Sequence, residues 1–321
     1  MISQYYLEIV PVFRKYDTLV RRGIMKIYSL TGILLILAAA ITFASIQKEL
    51  DEVEKLHDDF QYQKEYDLLE TVLGKAATNK EKSEVYWRLA RAILYLGDDA
   101  EDRGEKKKDI LAYFEKGEEF AEKAIELNSG NHHAYYWKSA NIGRWGQVKG
   151  IMDSLFKAAP MKKLLVKAIS IDQDHADSYF VLGELYDELP GWPLSFGNSN
   201  YAVSLGRKAV FLNERQRELG LVKEKKHGYY IKCAKHLHKR NWNAEKRKKN
   251  QDKKKKRYAK ETDVLKKNFF FEGNVTLKDV SDREEALLII DAVIAELGAI
   301  DNRNKTEKDD IKDAIELRDS W

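Results

Sequence analysis

The chain has a single cysteine, Cys233, which excludes an internal disulfide and any cysteine-based zinc site. Its Tyr-Tyr-Ile-Lys-Cys-Ala setting is that of a small core residue, where cysteine is usually inert. Proline is scarce too, with four residues, so long helices can run unbroken. Stretches alternating apolar and polar residues over five or more positions are few, which argues against strands. No Gly-rich phosphate loop, Gly-x-Ser-x-Gly or His-Glu-x-x-His motif is present. His236 and His238, at i and i+2, point to different faces of a helix, and His132-His133 falls at a solvated turn between hairpins. The sequence thus offers no catalytic, cofactor-binding or metal-ligating set, and a non-enzymatic protein is expected. Net charge is only +4, which by itself implies no nucleic-acid partner.

What the chain does contain is a recurring spacing. Tyr179, Leu182, Gly183 and Tyr186 form an aromatic-x-x-Leu-Gly-x-x-Tyr pattern, and Ala168 stands eleven residues before Tyr179. Tyr86, Leu89, Ala90 and Ile93 repeat the pattern, and Ala124 precedes Tyr135 by the same interval. This resembles the tetratricopeptide signature, in which a large and a small residue on helix A of a hairpin meet an alanine on helix B. The small positions Ala90, Ser139 and Gly183 let helices approach, while tyrosine or tryptophan fills the space beside them. The resemblance implies an all-α chain of helical hairpins stacked in a right-handed superhelix, with a binding surface in place of a catalytic site.

Three segments are expected: an N-terminal extension with an apolar run (1–46), a repeat array (48–215), and a divergent repeat with a basic helical C-terminal extension (216–321). Two capping helices at 48–60 and 65–77 precede the repeats. Repeat one has helix A at about 83–96, a charged insertion from Gly97, and helix B to Leu127. Repeat two has helices at about 133–145 and 161–171, separated by Gly146–Pro160. Repeat three has helices at 176–189 and 200–212 around the loop Pro190-Gly-Trp-Pro-Leu-Ser-Phe-Gly-Asn. A fourth hairpin begins near Lys226, a long basic helix spans 242–267, and an extended stretch follows Asn268. Ser281 and Glu284 form a capping box that opens an apolar helix to Leu297, and a last helix covers about 305–318. The tail should fold back on the array, because Phe269–Phe271 and the 287–294 face need cover.

Ile27–Ile46 carries no charge, follows Arg14, Lys15, Arg21, Arg22 and Lys26, and precedes Glu49, Asp51, Glu52 and Glu54. It reads either as one membrane span, with the bulk of the chain beyond the cytoplasmic side, or as a signal peptide. In the second reading translation starts at Met25, not Met1, and cleavage follows Ala44. Both readings place the folded part outside the cytoplasm, in the cell envelope or periplasm, anchored or secreted.

The stretch from Ser178 to Asn198, with its Leu-Pro-Gly loop, and Ala140-Asn141-Ile142-Gly143-Arg144-Trp145 are similar to exported bacterial tetratricopeptide proteins. These are related to the T component of TRAP transporters, and regulators of microtubule dynamics share the broader helical plan. The resemblance covers about 83–213. It implies a scaffold that binds a protein or peptide in a concave groove. The alternative is an accessory subunit of a solute transporter that holds a small or apolar ligand.

In such an array helix A lines the concave surface. Counted from the signature, Trp87, Arg91, Tyr95, Tyr136, Arg144, Phe180, Glu184 and Asp187 are the candidate groove residues, and Trp192 and Phe196 the candidate loop residues. The tract Lys239–Lys260 holds twelve Lys or Arg residues against Glu245 and Asp252. It reads as a solvated helix face, with an anionic membrane surface as the functional alternative. With only Trp242 and Tyr258 to stack on bases, it argues against nucleic acid.

Overall fold

A computed structural model describes residues 46–321, and all regular secondary structure among the described residues is helical. The all-α expectation holds. The N-terminal extension and the apolar run, apart from Ile46, lie outside the described residues. Ile46 is buried with Leu50, Val53 and Leu69 in the first apolar cluster.

The helices follow in chain order: α1 (46–58), α2 (Tyr62–Lys75), α3 (Asn79–Asp102), α4 (Lys107–Leu127), α5 (His132–Lys149), α6 (Ile151–Ile171), α7 (Ala176–Glu188) and α8 (Ser199–Glu218). Then come α9 (His227–Arg240), α10 (Ala244–Lys260), α11 (Val264–Asn268), a 3-10 turn (Phe271–Asn274), α12 (Asp282–Gly298) and α13 (Lys305–Ser320). Neighbouring helices pack on one another from α2 to α9, most extensively α3 with α4, α5 with α6, α4 with α5, and α7 with α8. The first, second and last of these pairs are the three expected hairpins.

Side-chain caps open several of the helices. At α3 the Thr78 hydroxyl accepts from the Glu81 N–H at 3.1 Å while the Glu81 carboxylate accepts from the Thr78 N–H at 2.8 Å. Reciprocal caps of this kind also open α12 (Ser281 with Glu284) and α13 (Asn304 with Glu307). Each side-chain cap satisfies an otherwise orphaned N–H and is worth about 1 kcal/mol.

Several expected boundaries move. Residues Gly97–Asp102 continue α3 and do not form an insertion, because Ala100 is buried in a cluster with Leu94, Ile110 and Phe114. The separator expected at Gly146–Pro160 shrinks to Gly150, whose φ of 133° breaks the chain between α5 and α6. Pro160 lies inside α6, removing one N–H from the ladder without ending it. The basic helix stops at Lys260, and the stretch after Asn268 is a 3-10 turn, not extended chain.

The tail folds back as expected. Phe269 is buried and stacks on Tyr201 with centroids 4.2 Å apart, and Phe271 is buried against Phe211 and Tyr258. Each such ring contributes about 2 kcal/mol relative to exposure. A buried ionic network reinforces the docking. Arg240 bonds both Glu272 (2.6 and 2.8 Å) and Asp282 (2.7 and 2.8 Å), and Arg207 bonds Glu285 at 2.8 and 3.1 Å. Arg247 pairs with Asp282 and Glu285, and Lys254 pairs with Glu272. The tract read as one solvated face is therefore divided. Arg240, Arg247 and Lys254 are buried structural cations, while Lys253, Lys255 and Lys256 are exposed.

Candidate functional site: an aromatic groove

Alternate helices α1, α3, α5, α7 and α9 turn one face toward a cavity of about 730 Å³, which α13 borders at one side. The helical repeat of 3.6 places Trp87, Arg91 and Tyr95 of α3 on one stripe, and Tyr136 of α5 and Phe180 of α7 occupy the matching stripes. The rings form a chain of contacts. Tyr95 stacks on Tyr62 at 4.7 Å, Tyr136 meets Trp137 and His175 edge-on at 5.0 and 5.1 Å, and Phe180 stacks on Tyr229 at 4.8 Å.

Burial governs the electrostatics. It pushes the Tyr95 hydroxyl up to about 12, and those of Tyr136 and Tyr229 well above the ordinary tyrosine range. Arg91 is buried and fully engaged, bonding Glu65 at 2.7 and 3.1 Å and Glu54 at 2.6 Å. Burial alone would raise the Asp177 carboxyl, but Lys226 at 2.7 Å, His175 and the Tyr229 hydroxyl hold it well below the usual carboxylate range. The lining carries six carboxylates (Glu54, Asp58, Asp177, Glu224, Glu307, Asp310) against three cations (Arg91, Lys225, Lys226). The wall is aromatic with an acidic bias.

Of the candidates read from sequence, Trp87, Arg91, Tyr95, Tyr136 and Phe180 come together around this cavity. Arg144, Glu184 and Asp187 do not line it. They lie toward the ends of their helices, where other elements cover them. Arg144 is taken by Asp98 (2.7 Å) and Glu101 (2.5 Å) from the last turns of α3, and Glu184 lies 2.6 Å from the His236 ring. Asp187 is buried beside Lys239. Trp192 is 90% exposed, and Phe196 packs edge-on to Tyr186, so the loop builds no part of the groove. Cys233 is buried as expected, its thiol pushed up to about 12 by burial.

Sequence reasoning missed the contributions of His57, Phe60 and Tyr62 from the first hairpin, of Tyr229, and of Asn304 to Asp310. The signature positions gave no signal for them, since they reach the cavity through long-range packing. His132-His133, read as a solvated turn, is half-buried and meets His175.

A family model described as regulator of microtubule dynamics protein 1-3 matches residues 49–188. The helices from α1 to α7 are similar to these regulators. Regulator of microtubule dynamics protein 1 of Bos taurus is 31% identical over 149 residues, or 46% of this chain and 44% of the relative. Regulator of microtubule dynamics protein 3 of Xenopus laevis is 31% identical over 111 residues, 34% of this chain and 23% of the relative. The Mus musculus protein 1 is 27% identical over 140 residues, 44% of this chain and 43% of the relative. The chain thus spans less than half the length of the curated relatives it matches. These relatives are animal proteins. They overturn the exported, periplasmic placement drawn from the apolar run and from the likeness to bacterial envelope proteins. Among the described residues no helix is long and apolar enough to cross a membrane.

Proposed function

We propose that the chain is a non-enzymatic scaffold that binds a protein segment in the aromatic groove and acts in the regulation of microtubule dynamics. The observation that carries this reading is the row of aromatic side chains, Trp87, Tyr95, Tyr136, Phe180 and Tyr229, presented by successive alternate helices to one cavity. Rigid aromatic surfaces in a desolvated cleft are the usual anchors of protein recognition. The acidic bias of the lining favours a segment that brings basic side chains. The names of the relatives that match α1 to α7 support the setting. The order of hairpins supports a tetratricopeptide-type array over 48–215 in a right-handed superhelix, with 216–321 as its extension.

The test is co-sedimentation of the full chain with polymerised tubulin, alongside the turbidity course of polymerisation. The wild-type chain is expected to pellet with the polymer or to change its growth. The Tyr136→Ala/Phe180→Ala variant is expected to lose at least about tenfold in apparent affinity, since two buried aromatic anchors together exceed the ~1.4 kcal/mol of one decade. A wild-type chain that neither pellets nor alters polymerisation overturns the microtubule reading.

A further inference from the structure

We propose that His132, His133 and His175 form a binding site for a divalent transition-metal ion of the Zn²⁺ class. The three residues each offer a ring nitrogen, and these nitrogens lie within 4.8 Å of one another. The ring centroids are 4.0, 4.8 and 5.2 Å apart. Zn–N bonds of 2.0–2.1 Å place ligand nitrogens about 3.3 Å apart around a tetrahedral ion. Closing each pair therefore takes about 1.5 Å or less, within reach of small side-chain rotations.

The surroundings are those of metal-binding histidines, whose second nitrogen is typically held by an outer partner. His175 Nδ1 lies 2.7 Å from the Ser178 hydroxyl, which leaves Nε2 for an ion. His132 Nε2 lies 3.4 Å from Asp172 Oδ2, which leaves Nδ1. His133 has no hydrogen-bond partner on either nitrogen among the described residues, and its ring is fixed by stacking on Trp87 at 4.5 Å. A cation here meets the positive end of α5, and the carboxylates of Asp172 and Asp177 offset that field. Imidazole without thiolate suits Zn²⁺ and its first-row neighbours, not Ca²⁺ or Mg²⁺. His133 and His175 line the groove, so a fourth coordination position is open to water or to a partner's side chain. The site stands whether or not the groove binds protein.

The experiment is calorimetric titration of the metal-free full chain with Zn²⁺ alone, with Co²⁺ absorption as a report on coordination. A single equivalent of Zn²⁺ and Co²⁺ d–d bands are expected. His133→Ala and His175→Ala should each weaken binding at least about tenfold, and Asp172→Asn, which removes only an outer partner, by roughly tenfold. His238→Gln, outside the cluster, should bind as wild type. Thermal melts without metal show whether each variant is folded. Should His175→Ala fail to fold, His132→Ala and Asp172→Asn decide the matter. Absence of binding at micromolar Zn²⁺, or undiminished binding by folded His133→Ala, overturns the site.

Discussion

Gly117 of α4 faces the Asn141 carboxamide of α5 so closely that a Cβ on Gly117 would overlap it. Asn141 is fully buried, and its Nδ2 donates to the Ala90 carbonyl at 3.0 Å and to the Trp137 carbonyl at 2.9 Å, tying α5 to α3. Gly117→Ala should therefore destabilise by about 1–3 kcal/mol, the ordinary cost of overpacking, although alanine is the better helix former. In Gly117→Ala/Asn141→Ala the two losses should be less than additive, because the clash is gone. Denaturant melts of the four proteins measure this. A Gly117→Ala chain that melts like wild type shows that α4 and α5 are not in this register.

Gly183 separates two sizes of side chain. A Cβ there would meet His236 at 3.4 Å and the Ala202 and Gly206 backbone at 3.5 Å, ordinary contact distances. Gly183→Ala should be neutral or stabilising by up to ~1 kcal/mol, since alanine is the better helix former and its methyl fits. Gly183→Trp should be strongly destabilising, because α7 meets α8 at this point. Thermal melting of both variants checks the contrast, and equal melting points would refute it.

The buried network predicts opposite outcomes for adjacent lysines. Lys254 pairs with the buried Glu272, which keeps Arg240 and Arg207, so Lys254→Ala should cost about 1.5–3 kcal/mol, the worth of one charge-assisted hydrogen bond. The exposed Lys253 should be replaceable by alanine within about 0.5 kcal/mol. Burial would raise the Glu272 carboxyl, but Arg240, Lys254 and Arg207 hold it well below the usual range. Its stabilising contribution is thus complete above the ordinary glutamate value and is lost only as acid pH falls through the depressed one. Chemical denaturation of Lys253→Ala and Lys254→Ala decides the point, and equal stabilities would sink it.

Asp310 gives the opposite sign. Burial, with Asp313 and Asp309 adding to it, raises its carboxyl to about 6 against the Gly228 N–H at 3.1 Å and Lys232. The folded chain holds this proton more tightly than the unfolded one. The contribution is therefore full below the ordinary 3.8 and is lost as pH rises through about 6. The difference in stability between wild type and Asp310→Asn, followed across that window, should change in favour of Asp310→Asn as pH rises. Parallel curves would show that α13 does not bury this carboxyl.

Much of the helical plan was legible because its causes are local. The Ser281–Glu284 capping box, the aromatic and small positions of α3 and α7, and the need to cover Phe269–Phe271 all appear as short-range patterns. The groove candidates divided for a physical reason. Trp87, Tyr95, Tyr136 and Phe180 sit where the helical period turns one stripe toward the cavity, whereas Arg144, Glu184 and Asp187 sit where α3, α9 or their side chains close over them. The misplaced boundaries at Gly97 and Pro160 arose from reading a weak helix former as a stop, where packing carried the helix through.

By itself the sequence determined that this protein is helical, that its hairpins recur, and that it lacks the motifs of familiar enzymes, since periodicity, caps and composition act over a few residues. Only the tertiary structure decided which charges are buried and which rings meet. Lys253 and Lys254 are chemically alike in the sequence, yet one is solvated and the other completes a network with Glu272. His133 and His175 are brought together by the stacking of α5 and α7, which no local pattern encodes. Burial and proximity depend on long-range packing, where the free energy of a charge or an imidazole is set by neighbours that are distant in the chain.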